Sequence, residues 1–259
     1  MTRLSVNLNK VALLRNQRET PYPDLIDTAK RVLGAGAHGI TIHPRPDERH
    51  VRRSDVPALA EFLSSYNSPF PSFMMKEEQQ GDIEFNIEGY PDPEFITLVT
   101  KHKCDQVTLV PDDPNQKTSD HGWDIPARRE YLKDVIAELK DNGRRVSLFI
   151  DPVPSMADAA AEIGADRIEL YTGPYALDVK LLPDYVATAE AANKCAIGIN
   201  AGHDLNLDNL AKFIAAIPTC AEVSIGHAIT ADALNMGWPA AVSAYLAAIH
   251  YGQRSAKAA

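Results

Sequence analysis

"GAGAHGITIH" (residues 34–43) and "EIGADRIELY" (162–171) use the same joint twice: a tight Gly-Ala turn, then a short run that reads as a buried strand. Glycine is the usual stop for a preceding helix, and the run after it has strand composition. Working outward in both directions, β-rich runs alternate with helical segments along the chain. Strands are expected at 4–8, 39–43, 83–89, 106–111, 145–151, 167–173, 196–202 and 222–229. Helical patterns lie between them, as in "DLIDTAKRVLGAGA" (24–37), "ARREYLKDVIAELKDNG" (127–143) and "LDNLAKFIAAIP" (207–218). Eight strands, each followed by helix, predict an α/β protein with a (β/α)8 barrel, as one domain over residues 1–259. A doubly wound sheet is the alternative, weakened because no GxGxxG follows the first strand. The polar, proline-bearing stretch "SSYNSPFPSFMMKEEQQGD" (64–82) is expected to form a surface excursion before the third strand.

The 259 residues are 45% hydrophobic and 24% charged, which fits a soluble globular protein with a sizeable core. A formal net charge of −9 argues against nucleic-acid or anionic-membrane partners. Any anionic ligand must therefore find its positive charge locally. Cys104, Cys195 and Cys220 are isolated and read as small buried apolar residues of a reducing compartment. The N-terminus lacks the apolar core of a signal peptide, and no run reaches the ~18 residues of a membrane span, so a cytoplasmic location is expected.

Barrel enzymes build their sites at the C-terminal ends of their strands. Here those ends carry Asn7, Asn9 and Lys10 after the first strand, then His43, Arg45, Arg49 and His50 after the second. Glu88 ends the third, Asp151 the fifth, Glu169 and Thr172 the sixth, Gly202 and His203 the seventh, and Gly226 and His227 the eighth. His43 alone would read as a core or rim histidine. Glu88, in "FNIEG", is harder to dismiss, because a buried carboxylate is costly and its raised pKa suits proton transfer. "NAGH" and "SIGH" are either plain βα turns or phosphate-holding backbone, and the loops after strands seven and eight favour the second. Of the clustered arginines, Arg45 is close enough to face the mouth, while Arg52 and Arg53 read as solvated charge before a helix capped by Ser54 or Asp55. One of Arg15 and Arg18 is expected to reach a phosphate. No HxH, HExxH, Cys/His cluster, GxSxG elbow or nucleotide-binding glycine loop occurs, so no metal or organic cofactor is expected.

The ordered set "VNLNKVALLRNQR", "GITIHPRPDERH", "FNIEG", "VTLVPDDPNQKTSDHGWD", "RVSLFIDP", "IELYTGPYA", "NAGHDL" and "IGHAI" resembles the pyridoxine 5′-phosphate synthase family over nearly the whole chain. The resemblance implies a (β/α)8 barrel with additional helices, assembled as an octamer built from dimers. It also implies condensation of 3-amino-2-oxopropyl phosphate with 1-deoxy-D-xylulose 5-phosphate to pyridoxine 5′-phosphate, phosphate and water. By matching motif, His43 and Glu88 would accept protons and His203 would donate one. Arg45, His50 and Thr118 would hold the deoxyxylulose phosphate, and Asn7, Arg18, Gly226 and His227 the aminoketone phosphate. Two departures stand out. The commoner pattern Asn-x-Asp-His is here Asn7-Leu8-Asn9-Lys10, and Ala-Gly-His-Gly here ends in Asp204. Lys10 is then expected to meet a phosphate as a point charge, Asn9 to keep hydrogen bonding, and Asp204 to keep a backbone contact. The competing readings are a barrel phosphosugar isomerase or aldolase using Lys10, and a non-catalytic binder of phosphorylated metabolites.

Overall fold

A computed structural model describes residues 1–66, 83–112, 116 and 118–258. Eight parallel strands close into a barrel in sequence order, with the first paired to the last. They are β1 (Arg3–Asn7), β2 (Gly39–Ile42), β3 (Glu84–Gly89), β4 (Gln106–Leu109), β5 (Arg145–Ile150), β6 (Arg167–Tyr171), β7 (Gly198–Gly202) and β8 (Cys220–Ile225). The helices are α1 (Asn9–Arg15), α2 (Leu25–Gly34), α3 (Asp55–Ser65), α4 (Pro93–Lys101), α5 (Arg129–Asp141), α6 (Pro154–Glu162), α7 (Gly173–Leu177), α8 (Leu182–Lys194), α9 (Leu210–Ala216), α10 (His227–Met236) and α11 (Trp238–Ala258). All eight expected strands form, in the barrel rather than the doubly wound order. Most of the expected 64–82 excursion, residues 67–82, lies outside the described residues. Among the described residues, no helix is long and apolar enough to cross a membrane.

The repeated Gly-Ala joint has one physical form. Gly36 (φ +102°) and Gly164 (φ +87°) turn left-handed, and the next amide reaches back to a carbonyl of the ended helix: Ala37 N to Val32 O and Ala165 N to Ala160 O, both 3.1 Å. Those bonds satisfy carbonyls that the helix end leaves open. The chain then enters β2 or β6 after a single residue, His38 or Asp166. The same closure follows α8 at Ala196 (φ +56°), with Ile197 N on Ala192 O at 3.1 Å. There the glycine signal is missing, and β7 starts two residues later than its composition predicts. At the other end of the sheet, β8 stops at Ile225 rather than 229, because Gly226 caps α10 and His227 is already helical.

Each strand alternates. Leu4, Val6, Ile40, Ile42, Phe85, Ile87, Val107, Leu109, Val146 and Leu148 are buried against the helix layer. The opposite parity fills the barrel with polar groups: Ser5 Oγ lies 2.7 Å from Thr41 Oγ1, Thr108 donates to Asn86 Oδ1 at 3.0 Å, and Asn200 donates to Gln106 Oε1 at 3.3 Å. Barrel interiors are more often packed with branched apolar side chains. This one is instead a hydrogen-bonded column, whose upper end opens into the site.

Candidate active site

The polar parity emerges at the C-terminal ends of the strands, around a cavity of about 580 Å³. Its wall includes Asn7, Asn9 and Lys10 from β1 and the first turn of α1, His43, Arg45, Arg49 and His50 after β2, and Glu88 on β3. Thr118, Glu169, His203, Asp204, Gly226 and His227 complete it from the opposite side. Twelve of the thirteen site residues expected from sequence therefore meet in one place. Arg18 is the exception: it is exposed between α1 and α2 and does not line the cavity. Nor does Arg15 face it. That guanidinium is buried and forms a bidentate pair with Asp55 at 2.7 and 2.9 Å. Arg15 also holds the His50 carbonyl at 3.3 Å, so it braces the site loop instead of binding through it. Asp55 is the first residue of α3, and its carboxylate accepts from Arg52 N, while Ser54 makes no side-chain cap. Arg52 and Arg53 are exposed, as expected.

His43 sits at the centre, with Nδ1 3.8 Å from Glu88 Oε2 and Nε2 3.9 Å from Asp112 Oδ2. Burial, and then the charge of Arg45, holds its pKa well below the ordinary histidine range. The ring is neutral and able to accept a proton. Glu88 moves the other way: burial, followed by the nearby carboxylates of Asp112 and Glu222, pushes it up to about 8. Asn7 donates to Glu88 Oε2 at 3.3 Å, while its own oxygen accepts from Asn9 N at 2.9 Å. Asn9 Oδ1 in turn accepts from His43 N at 2.9 Å. The first strand end thus fixes both central groups.

His50 is also neutral, held at about 4 by burial and by the charges of Arg45 and Lys10. Its Nδ1 accepts from Val51 N at 2.9 Å, so the ring proton sits on Nε2, a donor for an anion. Arg45 is buried and ion-paired with Asp112, and donates to Gln116 O at 2.8 Å. His203 Nε2 lies 3.0 Å from Thr118 Oγ1.

Two further groups belong to the cluster. Asp112 accepts from Ser119 Oγ at 2.7 Å as well as pairing with Arg45, and burial still raises its pKa. Glu169 is fully buried, and burial, reinforced by Glu88, holds its carboxyl well above the usual range, in the protonated form. A Cβ on Gly202 would collide with Glu169 Oε1, so the glycine there makes room for that carboxyl. Glu169 was visible in the sequence as a lone carboxylate in an apolar strand, the same signal as Glu88. Asp112 follows β4 in "VPDD", and nothing in that string distinguishes it from a loop aspartate. Among the described residues, no group of histidine, cysteine or carboxylate side chains is arranged to hold a metal ion.

An eight-stranded barrel with bases, acids and cations around one mouth defines a barrel enzyme. The profile of the family described as "Pyridoxal phosphate biosynthesis protein PdxJ" matches residues 4–251, and the chain belongs to this family. It is 49% identical over 254 residues to the pyridoxine 5′-phosphate synthase of Brucella anthropi, covering 95% of this chain and 98% of the relative. The Brucella abortus protein of the same name is 46% identical over the same shares. The chain is an enzyme of the kind these relatives are named for. In fold alone it is similar to the tryptophan synthase α subunit of Legionella pneumophila, with a TM-score of 0.61 at 14% identity, covering 96% of this chain and 93% of that one.

Proposed function

We propose that the protein condenses 3-amino-2-oxopropyl phosphate with 1-deoxy-D-xylulose 5-phosphate, releasing phosphate and water and forming pyridoxine 5′-phosphate. The observation that carries this reading is the neutral His43 beside a Glu88 that titrates near pH 8, at the centre of a cavity with cations on its wall. The substrate amine supplies the imine nitrogen, so the protein has only to move protons and hold anions. His43 and Glu88 accept protons in the enolisation and dehydration steps, His203 donates one, and the protonated Glu169 offers a hydrogen bond to developing oxyanion charge. Arg45, His50 and Thr118 hold one phosphate. Asn7, Gly226 and His227 hold the other, with Lys10 as a point charge. A cytoplasmic chain folded as one domain and assembled as an octamer, a tetramer of dimers, is part of the same proposal, and light scattering tests the assembly.

The purified protein, given both phosphates with no added metal or organic cofactor, is expected to release inorganic phosphate and form pyridoxine 5′-phosphate. Absence of both products overturns the assignment. A substrate adduct trapped on Lys10 by borohydride would point to the aldolase reading instead.

A further inference from the structure

The seventh strand ends in two consecutive left-handed residues, neither of them glycine: His203 (φ +83°) and Asp204 (φ +60°). Such a conformation is unusual in side-chain-bearing residues and persists only where the surroundings impose it. Here they do. Thr172 Oγ1 donates to Gly202 O at 2.6 Å and His203 O at 2.5 Å, and the side-chain amides of Asn206 and Asn209 reach Asp204 O at 3.4 and 3.3 Å. The turn folds the Asp204 carboxylate back onto its neighbour, with Oδ2 3.0 Å from His203 Nδ1. The other ring nitrogen faces Thr118 Oγ1 at 3.0 Å, and the ring edge packs on Tyr171 with centroids 5.1 Å apart.

We propose that Asp204 is a positioning residue that acts through His203, its carboxylate fixing the ring in the Nδ1–H tautomer so that Nε2 is the nitrogen presented to the cavity. The hydrogen-bond chemistry allows no other assignment. An ionised carboxylate only accepts, so Nδ1 must carry the proton. Nε2 then accepts from the Thr118 hydroxyl when the ring is neutral, and becomes the cavity-facing donor once the ring is protonated. Asp204 stays ionised in this role, because the bond from His203 holds its carboxyl below the usual range. Without an acceptor at 204, the ring is free to turn over or to shift its proton, and a fraction of molecules present the wrong nitrogen.

This inference rests on the proposed reaction only for its kinetic readout, so the test has two arms. In the first, histidine-labelled, ligand-free protein at alkaline pH is studied by nitrogen NMR, with His203→Gln identifying the His203 signals. The expected result is a proton on Nδ1 in the wild type and a shift toward the Nε2–H form in Asp204→Gly. Glycine suits the left-handed backbone, so this variant keeps the turn. A proton on Nε2 in the wild type, or an unchanged ring in Asp204→Gly, overturns the proposal whether or not the protein turns over. In the second arm, Asp204→Gly should lower kcat ~10-fold with KM nearly unchanged, while Asp204→Asn, which still offers an oxygen to Nδ1 and tolerates φ > 0, restores most of the rate. A rise in KM alone would make Asp204 a substrate contact and overturn the proposal, as would an Asn variant no better than Gly. No product from the wild type refutes the proposed function and leaves the NMR arm to decide the role of Asp204.

Discussion

At the floor of the barrel Glu84 pairs with Arg145, Arg145 Nε donates to Gln106 Oε1 at 2.9 Å, and Arg167 donates to Asn200 Oδ1 at 2.9 Å. At the mouth, four strand positions higher, Glu88 and His43 lie side by side without a hydrogen bond between them. The same strand, β3, supplies both carboxylates. Burial would raise the pKa of Glu84, but the hydrogen bond with Glu222 and the charge of Arg145 outweigh it and hold the group below the usual range. For Glu88 the charge of Arg45, already paired with Asp112, and the hydrogen bond with Ser224 do not outweigh burial and the neighbouring carboxylates. At one end of the barrel Arg145 and a hydrogen bond from Glu222, itself raised well above the usual range, keep Glu84 ionised. The other leaves Glu88 raised to about 8, so that its protonation changes near neutral pH.

Substitutions at the two ends should therefore separate activity from stability. The largest effect is expected at the mouth. His43→Ala and Glu88→Gln should each lower kcat by ~10³-fold, the range for loss of a general base, while the protein stays folded. Steady-state phosphate release with circular dichroism on the same samples checks both halves. Turnover near wild type in either variant would break the division at its most important point.

The floor should give the reverse. Removing one partner of a buried pair strands the other charge, but the Arg145 side chain is 31% exposed against 5% for Glu84, so solvent screens part of the loss. Arg145→Met is expected to cost ~2 kcal/mol of unfolding free energy, read from the urea midpoint at constant slope, with kcat unchanged. If kcat fell with stability, the floor would be part of the catalytic machinery and the comparison would fail.

Much of this division is written in the sequence, though not all of it is equally readable. The Gly-Ala joints at 36–37 and 164–165 reveal the βα rhythm, because a left-handed turn nearly requires glycine. Ala196 makes the same turn without announcing it. Strand-end histidines and Glu88 stand out because polar groups inside apolar runs are expensive. The polar lumen was also present, as alternation in "EFNIEG" and "RVSLF", but alternation in a buried strand looks the same whether the polar face meets solvent or a barrel interior. Arg15 and Arg18 could not be separated at all. Neither lines the cavity: Arg15 is taken by Asp55, forty residues away in sequence, and Arg18 is left exposed. Asp112 was missed for the same reason: its role comes from Arg45 and Ser119, brought to it by the fold.

The last expected effect is the most specific to the mismatch at the mouth. Glu88 has a folded-state pKa of about 8 against an ordinary value of 4.5, so between those limits the folded protein holds a proton that the unfolded chain has released. Stability from this group is fully present below pH 4.5 and is lost as the pH rises toward 8. Glu84, with its pKa lowered, has the opposite sign: its contribution is present above the unfolded value and lost as the pH falls. Glu88→Gln removes the first slope and leaves the second. The variant should match the wild type below pH 4.5 and gain on it progressively as the pH rises toward 8, a gain in folding that accompanies the loss of turnover. Urea midpoints across that range decide it. Asp112 and Glu169 remain in both proteins, so parallel pH–stability curves would mean that Glu88 is already ionised in the folded state and that the mouth is as well matched as the floor.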